Sequence, residues 1–189
     1  ELIANHFQPW IVKESVTQIL EIGTGSGCIA IAAATQFPGA SIDAVDISEG
    51  ALEVANKNCV DHGLTERVSF LYSDVYSHLD NKRYDIIMSN PPYVSAKEMA
   101  TLPLEYQQEP QIALEAEQDG LAIVKRILSG ALAHLNPGGI LVVEVGYTQQ
   151  ALVAHIPDIP FIWLEFERGG EGIFLLEYDA IKAFQSRLN

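Results

Sequence analysis

The eight residues Leu20-Glu21-Ile22-Gly23-Thr24-Gly25-Ser26-Gly27 constrain this chain more than any other stretch. Gln18–Ile22 has the apolar content of a short strand, three glycines follow at alternate positions, and residues 28–35 (CIAIAAAT) read as an alanine-rich helix. Glycines let the main chain turn sharply and approach a ligand closely, so strand, Gly-x-Gly-x-Gly and helix together form a nucleotide-type turn of an α/β sheet. Alone, the pattern also suits a dinucleotide or a glycine-rich turn with no ligand. No Walker sequence with its Lys-Ser/Thr occurs, which argues against ATP or GTP hydrolysis.

The same alternation continues along the chain. Residues 41–45 (SIDAV) form a second strand, and Ser48 is placed to cap a helix running to about Cys59, closed by Asp61, His62 and Gly63. Residues 67–72 (RVSFLY) and Tyr84–Ser89 (YDIIMS) are the third and fourth strands. The polar connection over residues 90–118 holds four prolines and exceeds ordinary loop lengths, which marks it as functional or partly structured. Residues 120–135 carry an apolar helical face, and Asn136-Pro137-Gly138-Gly139 reads as a turn. Residues 140–145 (ILVVEV) are a fifth strand and Gln149–His155 a short helix. Residues 161–166 and Ile173–Glu177 are two more strands, divided at Gly169-Gly170. Seven strands with helices between the first five imply a mostly parallel sheet covered on both faces. Only about six residues separate the last two strands, too few for a parallel crossover, so these pair antiparallel.

A chain of 189 residues matches one domain that buries its own core. No apolar run approaches the roughly 18 residues of a membrane span, and the first residues show no basic stretch followed by an apolar one, so secretion is not expected. The sequence starts at Glu1 rather than at a methionine, so a piece of a longer protein is expected. Cys28 and Cys59 both fall in helical segments with no second cysteine nearby, which predicts buried free thiols and a reducing, cytoplasmic setting. Eleven basic residues against 25 acidic ones leave a formal charge of −14, which repels phosphate and favours basic partners.

Around the glycines stand residues suited to a nucleoside. Asp46 ends the second strand, where a carboxylate can accept both hydroxyls of a ribose. Ile47 beside it can pack on an adenine face or simply fill the core. Glu21 can fix the loop backbone or reach an ammonium group of the ligand. Asp74, after the third strand, can accept from an adenine amine, with Val75 against the ring.

The string from Leu20 to Gly27 resembles the first motif of class I S-adenosylmethionine-dependent methyltransferases. The succession of seven strands resembles that family's sheet, whose last strand is antiparallel. The resemblance implies a Rossmann-like α/β fold with helices on both faces. It also implies S-adenosyl-L-methionine as cofactor, with S-adenosyl-L-homocysteine as product and no metal. In it, Glu21, Gly23, Thr24, Gly25, Gly27, Asp46, Ile47, Asp74, Val75 and Asn90 are the expected cofactor contacts.

Asn90-Pro91-Pro92-Tyr93 follows the fourth strand, at the strand end where open α/β sheets place their chemistry. The Asn90 side-chain oxygen and the Pro91 carbonyl can together hold the two hydrogens of one –NH₂ group, and Tyr93 can lie against its flat face. Such a grip works by orientation and by favouring positive charge on the nitrogen, with no strong base.

The string resembles the (Asn/Asp)-Pro-Pro-(Tyr/Phe) motif of amino methyltransferases. Its flanks, Leu102-Pro103-Leu104-Glu105-Tyr106, Glu109-Pro110 and Trp163-Leu164-Glu165-Phe166, are similar to protein-(glutamine-N5) methyltransferases of the branch that modifies a large-subunit ribosomal protein. That implies Asn90, Pro91 and Tyr93 as catalytic residues. Pro92, Tyr106 and Glu109 are read as further substrate contacts, although Tyr106 and Glu109 can equally serve only to support the loop. The resemblance implies a basic ribosomal protein as partner, met before or during ribosome assembly, with no nucleic-acid specificity and no membrane. It also implies a helical N-terminal recognition domain in the family, which residues 1–189 are not expected to include. Residues 1–189 are then expected to be the catalytic domain, with Glu1-Leu2-Ile3 at the domain junction and Phe7, Pro9 and Trp10 packing the segment after it.

The rival enzyme is an adenine amino methyltransferase on DNA or RNA, holding an extruded base in the same loop. The charge of −14 and the lack of a basic patch argue against it. His62 and His134 read as helix-end residues, and no histidine has metal-ligand spacing with the cysteines.

Overall fold

The computed structural model describes residues 1–92, 121–167 and 169–188. In it β1 (Gln18–Ile22) occupies the middle of the sheet, with every side chain after Gln18 buried. A strand covered on both faces must have helices above and below it. The other strands are β2 (Ser41–Asp46), β3 (Val68–Tyr72), β4 (Tyr84–Ser89), β5 (Leu135–Glu144), β6 (Ile162–Leu164) and β7 (Ile173–Glu177). They are ordered β3-β2-β1-β4-β5-β7-β6. The first five are parallel, and β7 runs antiparallel to both β5 and β6. The expected seven-stranded Rossmann-like sheet with its antiparallel last strand is what the chain forms.

Strand alternation divides the core into two layers. On one face, Ile19, Ile42, Ala44, Ile86 and Met88 meet α1 (Cys28–Gln36) and α2 (Glu49–Asp61). The alanines Ala30, Ala33 and Ala34 let α1 lie close to the strands. On the other face, Leu20, Ile22, Ile87, Leu141 and Val143 meet α3 (Ala122–His134), α4 (Gln149–His155) and α5 (Tyr178–Leu188). The N-terminal segment closes the first face. Phe7 is buried against Phe37 with ring centroids 5.9 Å apart, Trp10 is half-buried there, and Pro9 is exposed. As expected, Ser48 caps α2, its hydroxyl accepting from the Ala51 N–H at 3.2 Å, and His62 ends that helix.

Three sequence expectations need correction, and one element was not foreseen. Cys28 is exposed, at the start of α1, and only Cys59 is buried; both thiols are free. The stretch Asn136-Pro137-Gly138-Gly139 lies within β5 rather than before it. Leu135 pairs with Tyr84 and Ile140 with Ile86, so the stretch is taken up as an irregularity in the ladder. It stays there because Asn136 Nδ2 donates to Asp85 Oδ1 at 2.8 Å, and a Cβ on Gly139 would meet the Asp85 carbonyl at 2.8 Å. The sixth strand is three residues long rather than six, and its neighbourhood is organised by the packed rings of Phe161, Trp163 and Phe174. The helix α5 was not anticipated. Among the described residues no helix is long and apolar enough to cross a membrane.

Asp85 ties the lower ends of three strands together. Its Oδ2 accepts from the Thr17 N–H (2.8 Å), the Gln18 N–H (3.0 Å) and the Thr17 hydroxyl (3.1 Å), while Oδ1 takes the Asn136 amide. Burial opposes ionisation here, but these donors outweigh it and hold the carboxyl below its usual value.

Candidate functional site

The carboxyl ends of β1 to β4 share one edge of the sheet, and their register sets what meets there. Ile22 stands level with Val45 and with Ser89. The next residues, Gly23, Asp46 and Asn90, therefore form a row. Neighbouring strands lie about 4.8 Å apart, so Asp46 and Asn90 flank the glycine turn at a separation of roughly 10 Å. From β1 the chain winds outward to β2 and β3, then returns to start β4 on the opposite side. Such a reversal opens a crevice at the strand ends, the usual ligand site of an open α/β sheet.

The glycine turn needs its glycines. Gly23, Gly25 and Gly27 have φ of 72°, 54° and 80°, a region that L side chains adopt only with strain. At Gly27 space is short as well: a Cβ would lie 3.0 Å from the Ala55 Cβ and 3.1 Å from the Phe70 ring. The Gly23 and Thr24 N–H groups both donate to the Val45 carbonyl, at 2.8 and 3.0 Å, which locks the turn onto β2.

Glu21 braces the turn from below. It is 1% exposed, and its Oε2 accepts from the Thr24 hydroxyl at 2.5 Å and from the Ala30 N–H at 2.9 Å. Of the two roles open to Glu21 in the sequence, fixing the loop backbone is the one this geometry displays. Burial pushes its carboxyl up to about 7, against the pull of the Thr24 and Ala30 hydrogen bonds and with a smaller push from Asp46.

Asp46 is half-buried and also tied to the turn. Its Oδ2 accepts from the Gly25 N–H and its Oδ1 from the Ser48 N–H, both at 2.9 Å. Each carboxylate oxygen keeps a second acceptor position. Ile47 beside it is 38% exposed, so it does not fill the core. Asp74 is exposed and pairs with Arg126 of α3 at 2.8 Å. Val75 is buried and sits at φ 55°, rare for a β-branched residue. Ser73 holds that conformation: its N–H donates to the Asp46 carbonyl at 3.1 Å and its buried hydroxyl to the Val75 carbonyl at 3.0 Å.

Beyond the turn, the Ser89 hydroxyl donates to the Ile22 carbonyl at 2.8 Å and is buried, which pins the end of β4 to β1. Asn90 then emerges exposed, followed by a buried Pro91 and a half-buried Pro92. Tyr93, Tyr106 and Glu109 lie outside the described residues. Sequence reasoning missed Ser73 and Ser89. Their signal was a small hydroxyl at the end of an apolar strand or just after it, one position before a candidate functional side chain.

The row has a direction. Carboxylates and glycine N–H groups lie along the β1–β3 side, and an exposed carboxamide lies on the β4 side. Among the described residues no three His, Cys, Asp or Glu side chains gather to hold a metal ion. The arrangement suits an elongated ligand with hydroxyls and a planar base, and it presents one end of that ligand to Asn90.

Comparison with known proteins agrees. A family model described as "Methyltransferase small domain" matches residues 1–105. The chain is 47% identical over 186 residues to a protein named ribosomal protein uL3 glutamine methyltransferase from Francisella tularensis subsp. tularensis, covering 98% of this chain and 59% of that one. It is 46% identical over 177 residues to the protein of the same name from Neisseria gonorrhoeae, covering 93% of this chain and 59% of that one. The chain thus spans about three-fifths of the length of these relatives. Among solved structures, the ribosomal protein L11 methylase of Lactobacillus delbrueckii subsp. bulgaricus superposes with a TM-score of 0.60 at 20% identity, covering 93% of this chain and 73% of that one. TrmN from Thermus thermophilus gives 0.57 at 25% identity, covering 85% and 43%.

Proposed function

The chain belongs to the class I methyltransferases, within the methyltransferase small domain family, and from that membership we propose that it transfers a methyl group from S-adenosyl-L-methionine to the side-chain amide nitrogen of a glutamine in a ribosomal protein. The observation that carries the reading is the row Asp46, Gly23, Asn90, which sets a nucleoside-type turn directly beside an exposed carboxamide at the crevice of the sheet. The identity of 47% to a uL3 glutamine methyltransferase supports the choice of acceptor.

The residues present fit the cofactor. The turn leaves open space at Gly23 and Gly25, where a Cβ would meet nothing within 4 Å, Asp46 keeps two acceptor positions for ribose hydroxyls, and Asp74 is an exposed carboxylate suited to accept from an adenine amine. Gly23, Thr24, Gly25, Gly27, Ile47 and Val75 complete that side, with Glu21 acting as its brace. When bound, the cofactor supplies an electrophilic methyl group. Everything else falls to the chain. Asn90 and the Pro91 carbonyl hold the two hydrogens of the acceptor –NH₂, and Tyr93 packs on its face. An amide nitrogen is a poor nucleophile because its lone pair is delocalised into the carbonyl. Fixing its direction, and meeting its developing positive charge with two acceptors, lowers that barrier. Pro92, Tyr106 and Glu109 are assigned to the substrate mouth.

The substrate is a basic uL3-type protein, methylated in the cytoplasm before or during ribosome assembly, and residues 1–189 act as the catalytic domain. Incubation of the full-length enzyme with labelled S-adenosylmethionine and ribosomal proteins tests this: label should appear on a glutamine amide. Label on nucleic acid and none on protein would point instead to an adenine amino methyltransferase.

A further inference from the structure

β5 leaves the sheet beside Asn90. Ser89 pairs with Val143, so the next residues, Asn90 and Glu144, stand side by side at roughly 5 Å, the spacing of neighbouring strands. Three residues further on, Tyr147 is 57% exposed on the 3-10 turn Gly146–Thr148. This turn is held from several directions. The Val145 N–H donates to the Gly172 carbonyl at 2.7 Å. Thr148 is buried, its hydroxyl donating to the Val145 carbonyl at 2.7 Å and its N–H to the same oxygen at 3.1 Å. Gly172 lies so close to Gly146 that a Cβ on it would come within 2.1 Å of the Gly146 carbonyl.

A clamped turn therefore presents a large, largely exposed aromatic residue at the strand-end edge that also carries Asn90. It does so on the side of Asn90 away from the glycine turn. We propose that Tyr147 is a positioning residue for the protein acceptor, its ring packing against the peptide segment that carries the methylated glutamine. The proposal rests on the glutamine reading given above. Tyrosine suits such a place: it offers a broad amphipathic surface and loses little side-chain entropy when a peptide settles on it. The cofactor side and Tyr147 then form two walls, with the amide held between them at Asn90.

The test is steady-state methylation of the protein acceptor by the full-length enzyme. Tyr147→Ala should raise KM for the acceptor roughly tenfold, the usual scale for losing an aromatic anchor, while kcat and the cofactor Kd stay within about twofold. Tyr147→Phe should restore most of the loss, because packing needs the ring. Thermal unfolding of each variant reports on the fold. An unchanged KM in Tyr147→Ala overturns the proposal. So does a fall in cofactor affinity or melting temperature that matches the loss of activity, since the ring would then be serving the fold or another part of the protein. If the parent enzyme labels no protein amide at all, the glutamine reading itself falls, and this proposal falls with it.

Discussion

Two side chains, Asn90 and Glu21, carry the sharpest consequences. Asn90 offers one of only two acceptors that the proposed grip contains. Asn90→Ala should slow single-turnover methylation by about 10²-fold or more, by analogy with the loss of one donor from an oxyanion hole, and leave cofactor affinity nearly intact, since any cofactor contact it makes is one of many. Asn90→Asp keeps an acceptor and should retain more activity than the alanine variant. Parallel calorimetric titration of the cofactor separates the two sites: equal loss of binding would move Asn90 to the cofactor side. Glu21 has a pH signature. Its carboxyl titrates near 7 in the folded chain, against an ordinary 4.5. Between those values the folded chain still binds a proton that the unfolded chain has released. The contribution of Glu21 to stability is thus complete below pH 4.5 and is lost as pH rises through 7, a change on the order of 3 kcal/mol. Glu21→Gln can still accept from Ala30 and removes the titration. Urea unfolding at pH 5 and pH 8 should show the parent losing more stability than this variant; equal losses would mean that Glu21 is already ionised at pH 5.

At the scale of elements, Asp85 joins β1, β4 and the irregular start of β5. Asp85→Ala removes four hydrogen bonds to one charged group and leaves the Thr17 and Gln18 N–H groups without that partner. A cost of about 1.5–3 kcal/mol is expected in denaturant unfolding, with catalytic constants little changed, because the site lies at the other end of the strands. The contrast between β1 and β5 shows what kind of information a sequence displays. β1, the glycine turn and α1 were legible because apolar run, glycine spacing and alanine run are local signals. The start of β5 was not, since Asn136-Pro137-Gly138-Gly139 has turn chemistry and enters the ladder only through a contact with Asp85, 51 residues earlier. α5 was missed for a different reason. Its buried or half-buried Ile181, Phe184 and Leu188 lie at helical spacing, but a low overall hydrophobicity hid them next to an obvious strand. In the site, the residues proposed to contact cofactor or acceptor were visible, while Ser73 and Ser89 were not, because a serine's burial depends on the surrounding fold.

The molecule as a whole is an acidic particle at −14. A basic ribosomal protein should be drawn to it over several ångströms, and salt should weaken that attraction. The affinity of the full-length enzyme for its protein substrate, measured from low to physiological ionic strength, should fall steadily; a flat response would exclude long-range attraction as the source of encounter. The strand order has a longer-term consequence. The half proposed to hold the nucleoside, β1 to β3, precedes the half proposed to meet the acceptor, β4 to β7, and among the described strands the two halves pair only along the β1–β4 ladder. A change of acceptor is therefore expected to be written after residue 89, within the limits set by contacts such as Asp74–Arg126 that tie that segment to the first half.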